Sequence, residues 1–329
     1  MDEEPQAKRR RELSTQEDFY RLGKEVQNRS GQKLCAHSTE DRRFREYFGA
    51  SVTVAMIAWS LLNEHEKLEV GSEVTHLLWA MYFVKCYPLT QEGCAAAGTA
   101  AKGAVDPKTW KKWVWPMIWA LADLESEVVS FCVLTFKLIM ITNTNLHHQI
   151  DWSSRKKHPD HDTHVSVDCT DCKILQKGRA FASFKFAKKS GLRYEVGVGI
   201  MTGEIVWING GFPCGLFNDL TIFRASLATM LDPQERVEAD DGYATESPYR
   251  AKVTGAMFNP EEARVYQKRV QGRHETVNAR FKGFKILSDV YRHDVEQHGY
   301  VFRAVAVLVQ LSIKNGDPLF ETKDYECAH

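Results

Sequence analysis

The two halves of the chain differ in the periodicity of their apolar positions. In the first half, residues 52–62 and 74–87 carry apolar side chains at helical spacing, which predicts two helices. In the second half, apolar and other residues alternate strictly from Leu192 to Ile200, which predicts a strand. The pattern therefore predicts a helical region followed by a region that contains a sheet.

Further elements of the second half are predicted around this strand. Short alternating segments predict strands at 165–168 and 184–186, and Thr202-Gly203 predicts a hairpin turn. The remaining elements are a returning strand at 205–208, a helix at 218–231, a short strand at 236–239, and helices at 261–285 and 300–313. Antiparallel strands that are followed by a helix, a short strand and more helices predict an α+β domain.

Two helices near the end of the first half have the order of a helix-turn-helix motif. A short helix is predicted over 90–97, with Thr90 as its N-cap, and a second helix begins at Asp106-Pro107. The second helix carries Lys108, Lys111 and Lys112 on one side, where they are placed to contact DNA. The alternative is ordinary packing within a helical bundle.

Composition and charge exclude several classes of protein. The chain has 329 residues and is 43% hydrophobic, with 43 Lys and Arg against 43 Asp and Glu. It is long enough to bury a large core, and its net charge of zero excludes a uniformly basic nucleic-acid-binding surface. The start of the chain is polar and the eight cysteines have no framework spacing, which favours an intracellular protein. The apolar stretch 128–141 is too short to span a membrane, so no membrane partner is expected.

The first 40 residues are polar and are predicted to form a disordered arm. This arm contains a run of four basic residues, Lys8, Arg9, Arg10 and Arg11. Such a run is typical of a nuclear import signal or of a contact to nucleic acid, and its alternative is a solvated charge run. An import signal together with DNA as the partner predicts a nuclear location.

Four acidic residues are candidates for a metal site. Asp168 and Asp240 each come at the end of a short apolar strand, and Glu275 lies on the long predicted helix. Asp219 opens the predicted helix between them. Carboxylates at strand ends and on an adjacent helix can hold one or two Mg²⁺ ions, which is the arrangement that phosphoryl chemistry requires.

Short motifs surround these acids at Val167–Asp171, Phe217–Arg224, Glu238–Tyr243 and Arg273–Lys282. In this order and spacing, the motifs resemble the PIF/Harbinger group of DDE transposases over residues 165–320. The helical region 77–124 resembles the N-terminal DNA-binding part of that group more loosely. Cys169 stands where relatives usually have Gly, and a side chain there is expected to crowd the metal site.

The resemblance implies an RNase H-like mixed sheet flanked by helices. It places Asp168 on the first strand, Asp240 on the fourth strand and Glu275 on a helix as catalytic and metal-binding residues. Asp219 corresponds to a further acid that also binds metal. Lys282 corresponds to a basic residue that follows the Glu in related transposases.

The activity that the resemblance implies is DNA cleavage and strand transfer with Mg²⁺ or Mn²⁺. Activated water cuts the strand at a transposon end, and the freed 3′-hydroxyl attacks target DNA. Members of the group generally also use a separate Myb-like DNA-binding protein. The sequence does not decide whether the chain forms a homo-oligomer. The alternative function is that of a domesticated DNA-binding or scaffold protein without catalysis.

Basic residues along the long predicted helix could contact successive DNA phosphates. The alternative interpretation is that they form a solvent-exposed helix face. The DNA-contacting candidates on this helix are Arg273, Arg280 and Lys282. The resulting organisation is a basic arm (1–40), a helical DNA-binding region (41–127), a linker with an insertion (128–164), a catalytic domain (165–320) and a tail (321–329). Within the linker, residues 132–148 have no counterpart in the group and are predicted to be dispensable or spurious.

Overall fold

The structure is a computed structural model that describes residues 15–27, 32–33, 35–98, 103–126, 152–157, 162–253 and 261–322. The basic run Lys8–Arg11 and the apolar insert 132–148 lie outside these residues. The described residues divide into two compact units. One takes its residues from 1–127, 281–288 and 300–315, and the other from 128–280, 289–299 and 316–329.

The first unit is helical. Its helices are α1 (Gln16–Val26), α2 (His37–Phe48), α3 (Val52–Glu64), α4 (Val74–Cys86), α5 (Thr90–Ala97), α6 (Pro107–Asp123), α10 (Lys285–Ser288) and most of α11 (His298–Lys314). The helices predicted at 52–62, 74–87 and 90–97 are thereby confirmed. Asp106 caps α6 as predicted, because its carboxylate accepts hydrogen bonds from the backbone N–H groups of Lys108 and Thr109. The N-cap of α5 is Leu89 instead of Thr90.

Helix α1 lies inside the segment that the sequence predicts to be a disordered arm. Thr15 and Asp18 form a capping box at its start, in which each side chain accepts from the backbone N–H of the other residue. Phe19, Tyr20 and Val26 are buried on one side of this helix. The prediction of disorder is therefore wrong for residues 16–26, because few but well-placed apolar residues are enough to dock a capped helix.

The second unit is built on one mixed sheet of five strands. The strands are β1 (Thr163–Lys173), β2 (Gly191–Gly199), β3 (Ile205–Pro213), β4 (Arg236–Ala239) and β5 (Ala251–Val253), and their order across the sheet is β3-β2-β1-β4-β5. Strands β1, β2 and β3 pair antiparallel, whereas β4 runs parallel to both β1 and β5. The predicted α+β class is confirmed, with helices flanking this sheet.

Helices cover both faces of the sheet. On one face, α7 (Asp219–Ala225) and α8 (Leu227–Met230) pack through Phe223 and Leu227 against Val165 and Val167 of β1. On the other face, α9 (Glu261–Lys282) is joined to β1 by a hydrogen bond of 3.0 Å between His274 Nδ1 and Ser166 Oγ. Strand β1 therefore lies between two helical layers at the centre of this unit.

Three elements of the second unit differ from the sequence prediction. The helix predicted at 218–231 is interrupted at Ser226, whose backbone is not helical and whose hydroxyl bonds back to the Ile222 carbonyl. The segment 184–186 is a short 3₁₀ turn instead of a strand. The long helix ends at Lys282, before the predicted residue 285.

None of the helices in the described part of the chain is both long and apolar enough to cross a membrane. The apolar stretch 128–141, to which the sequence prediction refers, lies outside the described residues.

Candidate active site

Asp168 and Asp240 stand on the same face of two neighbouring parallel strands. Ser166 of β1 pairs with Glu238 of β4, so two residues further along each strand lie Asp168 and Asp240. Asp240 follows β4 directly and keeps an extended backbone, with φ −78° and ψ 179°. Because side chains two residues apart in extended chain share a face, both carboxylates stand on the face that α9 covers.

Helix α9 brings Glu275 to this face through three hydrogen bonds. Gln271 donates from Nε2 to the Ala239 carbonyl at 2.7 Å, one residue before Asp240. His274 is hydrogen-bonded to Ser166 of β1, and Asn278 donates from Nδ2 to Oδ2 of Asp168 at 3.0 Å. Glu275 lies between these anchors on an exposed part of the helix.

The three predicted catalytic acids share one electrostatic neighbourhood. Burial raises the pKa of Asp168 above its ordinary value, and the negative charge of Glu275 adds to this rise. The ammonium group of Lys185 and the amide of Asn278 lower the pKa of Asp168. Burial also raises the pKa of Asp240, and the charge of Asp168 raises it further. Mutual repulsion of this kind is relieved when a cation binds between the carboxylates.

The donor set at this face fits a hard divalent cation. Carboxylate oxygens are the ligands that Mg²⁺ and Mn²⁺ prefer, and the amide oxygen Oδ1 of Asn278, beside Asp168, is buried without a hydrogen-bond partner. Across the described residues, no three His, Cys, Asp or Glu side chains are already gathered around one point. Glu275 is exposed, and its charge acts on Asp168 from the neighbouring helix.

Asp219 is held by a different partner from the other three acids. Its carboxylate forms an ion pair with Arg193 Nη1 at 2.6 Å. Arg193 also binds both carboxylate oxygens of Asp171, at 2.7 and 2.9 Å. Asp171 is three residues beyond Asp168 on β1 and therefore stands on the opposite face of the sheet. The structure thus joins Asp219 to a buried Arg193–Asp171 pair. Burial raises the pKa of Asp219, the charges of Arg193 and Lys185 lower it, and the charge of Asp168 raises it further, so Asp219 still senses the neighbouring acid.

The side chain of Cys169 also points away from the acidic face. It is buried, and its Sγ lies 3.7 Å from the hydroxyl of Tyr243 in the core beneath α7. Burial raises the pKa of the Cys169 thiol well above its ordinary value. The expected crowding of the metal site by Cys169 is therefore wrong, because adjacent residues of a strand face opposite sides of the sheet.

The three basic candidates of α9 are engaged with backbone carbonyls. Arg273 is only 4% exposed and donates from Nη2 to the carbonyls of Gly199 and Ile200. Arg280 donates to the Asp317 carbonyl at 2.7 Å. The third candidate, Lys282, donates to the Leu287 carbonyl at 3.2 Å. Arg273 therefore holds α9 to the sheet, and we leave it out of the proposed DNA-contacting set.

The basic candidates of the helical unit are placed differently. Lys108, Lys111 and Lys112 are exposed on α6, whereas Trp110 and Val114 of the same helix are buried. Lys112 also extends over the ring of Trp113, with Nζ 4.9 Å from the ring centroid. This side of α6 is therefore accessible to a phosphate backbone.

Two residues near the acids are missed by sequence reasoning. Asn278 follows Glu275 by three residues, and this helical spacing alone could have placed both side chains on the same face. Lys185 donates from Nζ to the Cys169 carbonyl at 2.9 Å, one residue after Asp168. The sequence predicts a strand for its segment, and no local signal indicates that its side chain returns to β1.

Comparison of the chain with protein-family models, curated proteins and solved structures gives no significant match. The assignment of a function therefore depends on the residues described above.

Proposed function

We propose that the chain is a transposon-derived, divalent-metal-dependent DNA endonuclease and transposase of the PIF/Harbinger type. The observation that carries this proposal is the position of Asp168 and Asp240 on one face of adjacent parallel strands, beneath a helix that bears Glu275. Carboxylates that repel one another are rarely brought together from distant parts of a sequence for structural reasons alone. A bound cation would compensate their repulsion, so a metal-dependent site explains their proximity.

The strand order supports an RNase H-like fold as part of the same proposal. Three antiparallel strands are followed by two parallel ones, and β1 lies at the centre of the order β3-β2-β1-β4-β5. Asp168 is on the first of these strands and Asp240 follows the fourth, which is the placement that the resemblance implies. The helical unit has the role of a helix-turn-helix-like DNA-binding region in this proposal, with Lys108, Lys111 and Lys112 of α6 against DNA phosphates.

The residues of the site have distinct roles in the proposed reaction. Asp168, Asp240 and Glu275 would hold the cation, and the amide of Asn278 keeps the Asp168 carboxylate oriented. When bound, Mg²⁺ or Mn²⁺ supplies positive charge against the phosphodiester and lowers the pKa of water. Asp219 is not assigned to this set, because its carboxylate forms an ion pair with Arg193.

The test is nicking of supercoiled plasmid by the purified full chain. We expect nicking with Mg²⁺ or Mn²⁺ and none in EDTA. Glu275→Gln should reduce the rate at least about 100-fold, because the third carboxylate of the metal set is lost. Glu261→Gln at the exposed start of the same helix is the matched control and should leave the rate unchanged.

The alternative function is that of a DNA-binding or scaffold protein without catalysis. It predicts DNA binding by the wild-type chain and no metal-dependent nicking under any condition. The proposal also includes a nuclear location through Lys8–Arg11, a Myb-like partner protein and a homo-oligomeric state. The result of the cleavage assay does not depend on any of these three.

A further inference from the structure

The connection between β1 and β2 carries a concentrated positive charge. We refer to residues 173–190 as the basic loop. It contains six basic residues and no acidic one, in a chain whose formal net charge is zero. The six are Lys173, Lys177, Arg179, Lys185, Lys188 and Lys189. All except Lys173 are exposed, so the loop presents an electrostatic surface for an anionic partner.

The same loop displays an exposed aromatic side chain. Phe184 is 90% exposed, although aromatic side chains of this size are ordinarily buried to a large extent. It lies in the 3₁₀ turn Phe184–Phe186, with Lys185 directly after it. A basic surface with an interleaved aromatic side chain is the composition that binds single-stranded nucleic acid.

Hydrogen bonds hold this turn in one conformation. The Lys188 N–H donates to the Ser183 carbonyl at 2.8 Å, and the Ser183 N–H donates to the Lys189 carbonyl at 2.9 Å. The Ser183 hydroxyl is anchored on Asp171 of β1 at 2.6 Å. Ala187 and Lys188 have φ values of 50° and 66°, which are uncommon for non-glycine residues. Phe184 is therefore presented in a preorganised position, which reduces the entropic cost of binding.

The turn contacts β1 at two places: Ser183 bonds to Asp171 on the face opposite to the acids, and Lys185 reaches the backbone next to Asp168. The ammonium group of Lys185 reaches the Cys169 carbonyl at 2.9 Å, one residue after Asp168. Phe184 is thus on the order of 10 Å from this part of β1, since one Cα step and one extended lysine side chain separate them.

We propose that the basic loop binds a DNA strand beside the acids, with Phe184 stacked on an unpaired base and Lys185 against a phosphate. A stacked ring accepts any base, whereas a paired base inside a duplex offers no free face. The substrate would therefore be DNA that is single-stranded or locally unpaired next to the position of cleavage. The cleavage itself rests on the proposed function, but the binding does not.

The test measures binding of the full chain to fluorescein-labelled dT20 by fluorescence anisotropy in EDTA, where no metal-dependent cleavage occurs. Phe184→Ala should weaken binding roughly tenfold, because a stacking partner is lost. Phe184→Trp should retain binding within about threefold of wild type, since an aromatic face is restored. Met201→Ala removes another exposed apolar side chain, at the opposite end of β2, and should leave the dissociation constant unchanged.

Two further measurements separate stacking from charge. On a blunt duplex of about 20 base pairs, Phe184→Ala should change the dissociation constant by less than about twofold, because paired bases offer no free face for stacking. Lys185→Ala should weaken binding to both probes and reduce the salt dependence by about one phosphate contact.

Three outcomes would overturn the proposal. Phe184→Ala could bind dT20 as well as wild type. The wild-type chain could bind vesicles that contain anionic lipid but not dT20. Phe184→Ala could abolish self-association, measured by light scattering, without a change in DNA binding. If dT20 binding depends on Phe184 and the wild-type chain does not nick plasmid, the proposed function fails and the DNA-binding loop stands.

Discussion

Asn278 donates a hydrogen bond from its side-chain amide to Oδ2 of Asp168 at 3.0 Å. This bond is one of three that hold the helix bearing Glu275 against the strands that carry Asp168 and Asp240. The amide also lowers the pKa of Asp168, against the larger effect of burial. Asn278 therefore acts as a positioning residue for the proposed metal site.

Replacement of Asn278 should weaken metal binding without unfolding the chain. We expect Asn278→Ala to lower the affinity for Mn²⁺ about tenfold or more, as is typical when a partner that orients a ligand is removed. The measurement is the free Mn²⁺ signal in electron paramagnetic resonance. Asn315→Ala removes an amide that donates to the Leu311 carbonyl at the end of α11 and is the matched control. Equal Mn²⁺ affinity in both variants and wild type would show that Asn278 has no part in the site.

The ion pairs of Arg193 with Asp171 and Asp219 should stabilise the fold and should not take part in metal binding. Arg193→Met leaves the carboxylates of Asp171 and Asp219 without their cation and should lower the free energy of unfolding by about 3–5 kcal/mol. Asp219→Asn keeps the shape and should be milder, with Mn²⁺ affinity within about twofold of wild type. Urea unfolding and the Mn²⁺ titration check both expectations. A loss of Mn²⁺ affinity in Asp219→Asn as large as in Asp168→Asn would return Asp219 to the metal set.

Glu195 should make stability depend on pH in a defined direction. Burial raises its pKa to about 8, while Trp207 Nε1 donates to Oε2 at 2.8 Å and acts against this rise. The folded chain therefore keeps a proton that the unfolded chain releases near pH 4.5. The free energy of unfolding falls as pH rises from about 4.5 to about 8, by at most roughly 1.4 kcal/mol per pH unit, and the contribution of Glu195 is constant above that interval.

The variant Glu195→Gln isolates this contribution. Glu125 and Glu238 are also buried with raised pKa values, of about 8 and about 7, and they contribute in the same direction. The difference in urea midpoint between wild type and Glu195→Gln should therefore change between pH 5 and pH 8 in favour of the variant. A difference that stays constant over this interval would mean that Glu195 is ionised in the folded chain.

The basic run Lys8–Arg11 should direct nuclear import. Alanine at all four positions should leave a fluorescent reporter fusion of the full chain in the cytoplasm, because import receptors recognise clustered positive charge. Alanine at Lys156 and Lys157, a second exposed pair of lysines, is the control and should not change the location. Nuclear accumulation of the fourfold variant would assign the run another role.

The sequence predicts best where one interaction dominates. Strict alternation over nine residues predicts β2, because only a strand turns alternate side chains to one face. Asp106-Pro107 predicts the start of α6, because cap and proline act locally. The acids Asp168 and Asp240 fall on adjacent strands because both follow short apolar runs that pair in register.

The failures arise where distant contacts decide the conformation. Phe184 and Phe186 follow the alternating pattern of a strand. The hydrogen bond from the Ser183 hydroxyl to Asp171 instead accompanies a 3₁₀ turn at this segment. The sequence predicts that Arg273 contacts DNA from a basic helix. In the structure, its guanidinium donates to the Gly199 carbonyl at the end of β2. The three-residue strand β5 has no periodicity to detect, since its pairing with β4 alone defines it.

The most direct measurement of the central claim compares strand cleavage and DNA binding in Asp240→Asn. Asparagine keeps the shape of the side chain and removes the charge that holds the cation, whereas binding depends on Lys and Arg contacts to phosphates. Asp241→Asn, at the adjacent exposed position, is the control. We expect Asp240→Asn to bind DNA as well as wild type in a gel-shift assay and to show no plasmid nicking with Mn²⁺. Nicking at the wild-type rate by Asp240→Asn would contradict the assignment of these acids as a metal-dependent nuclease site.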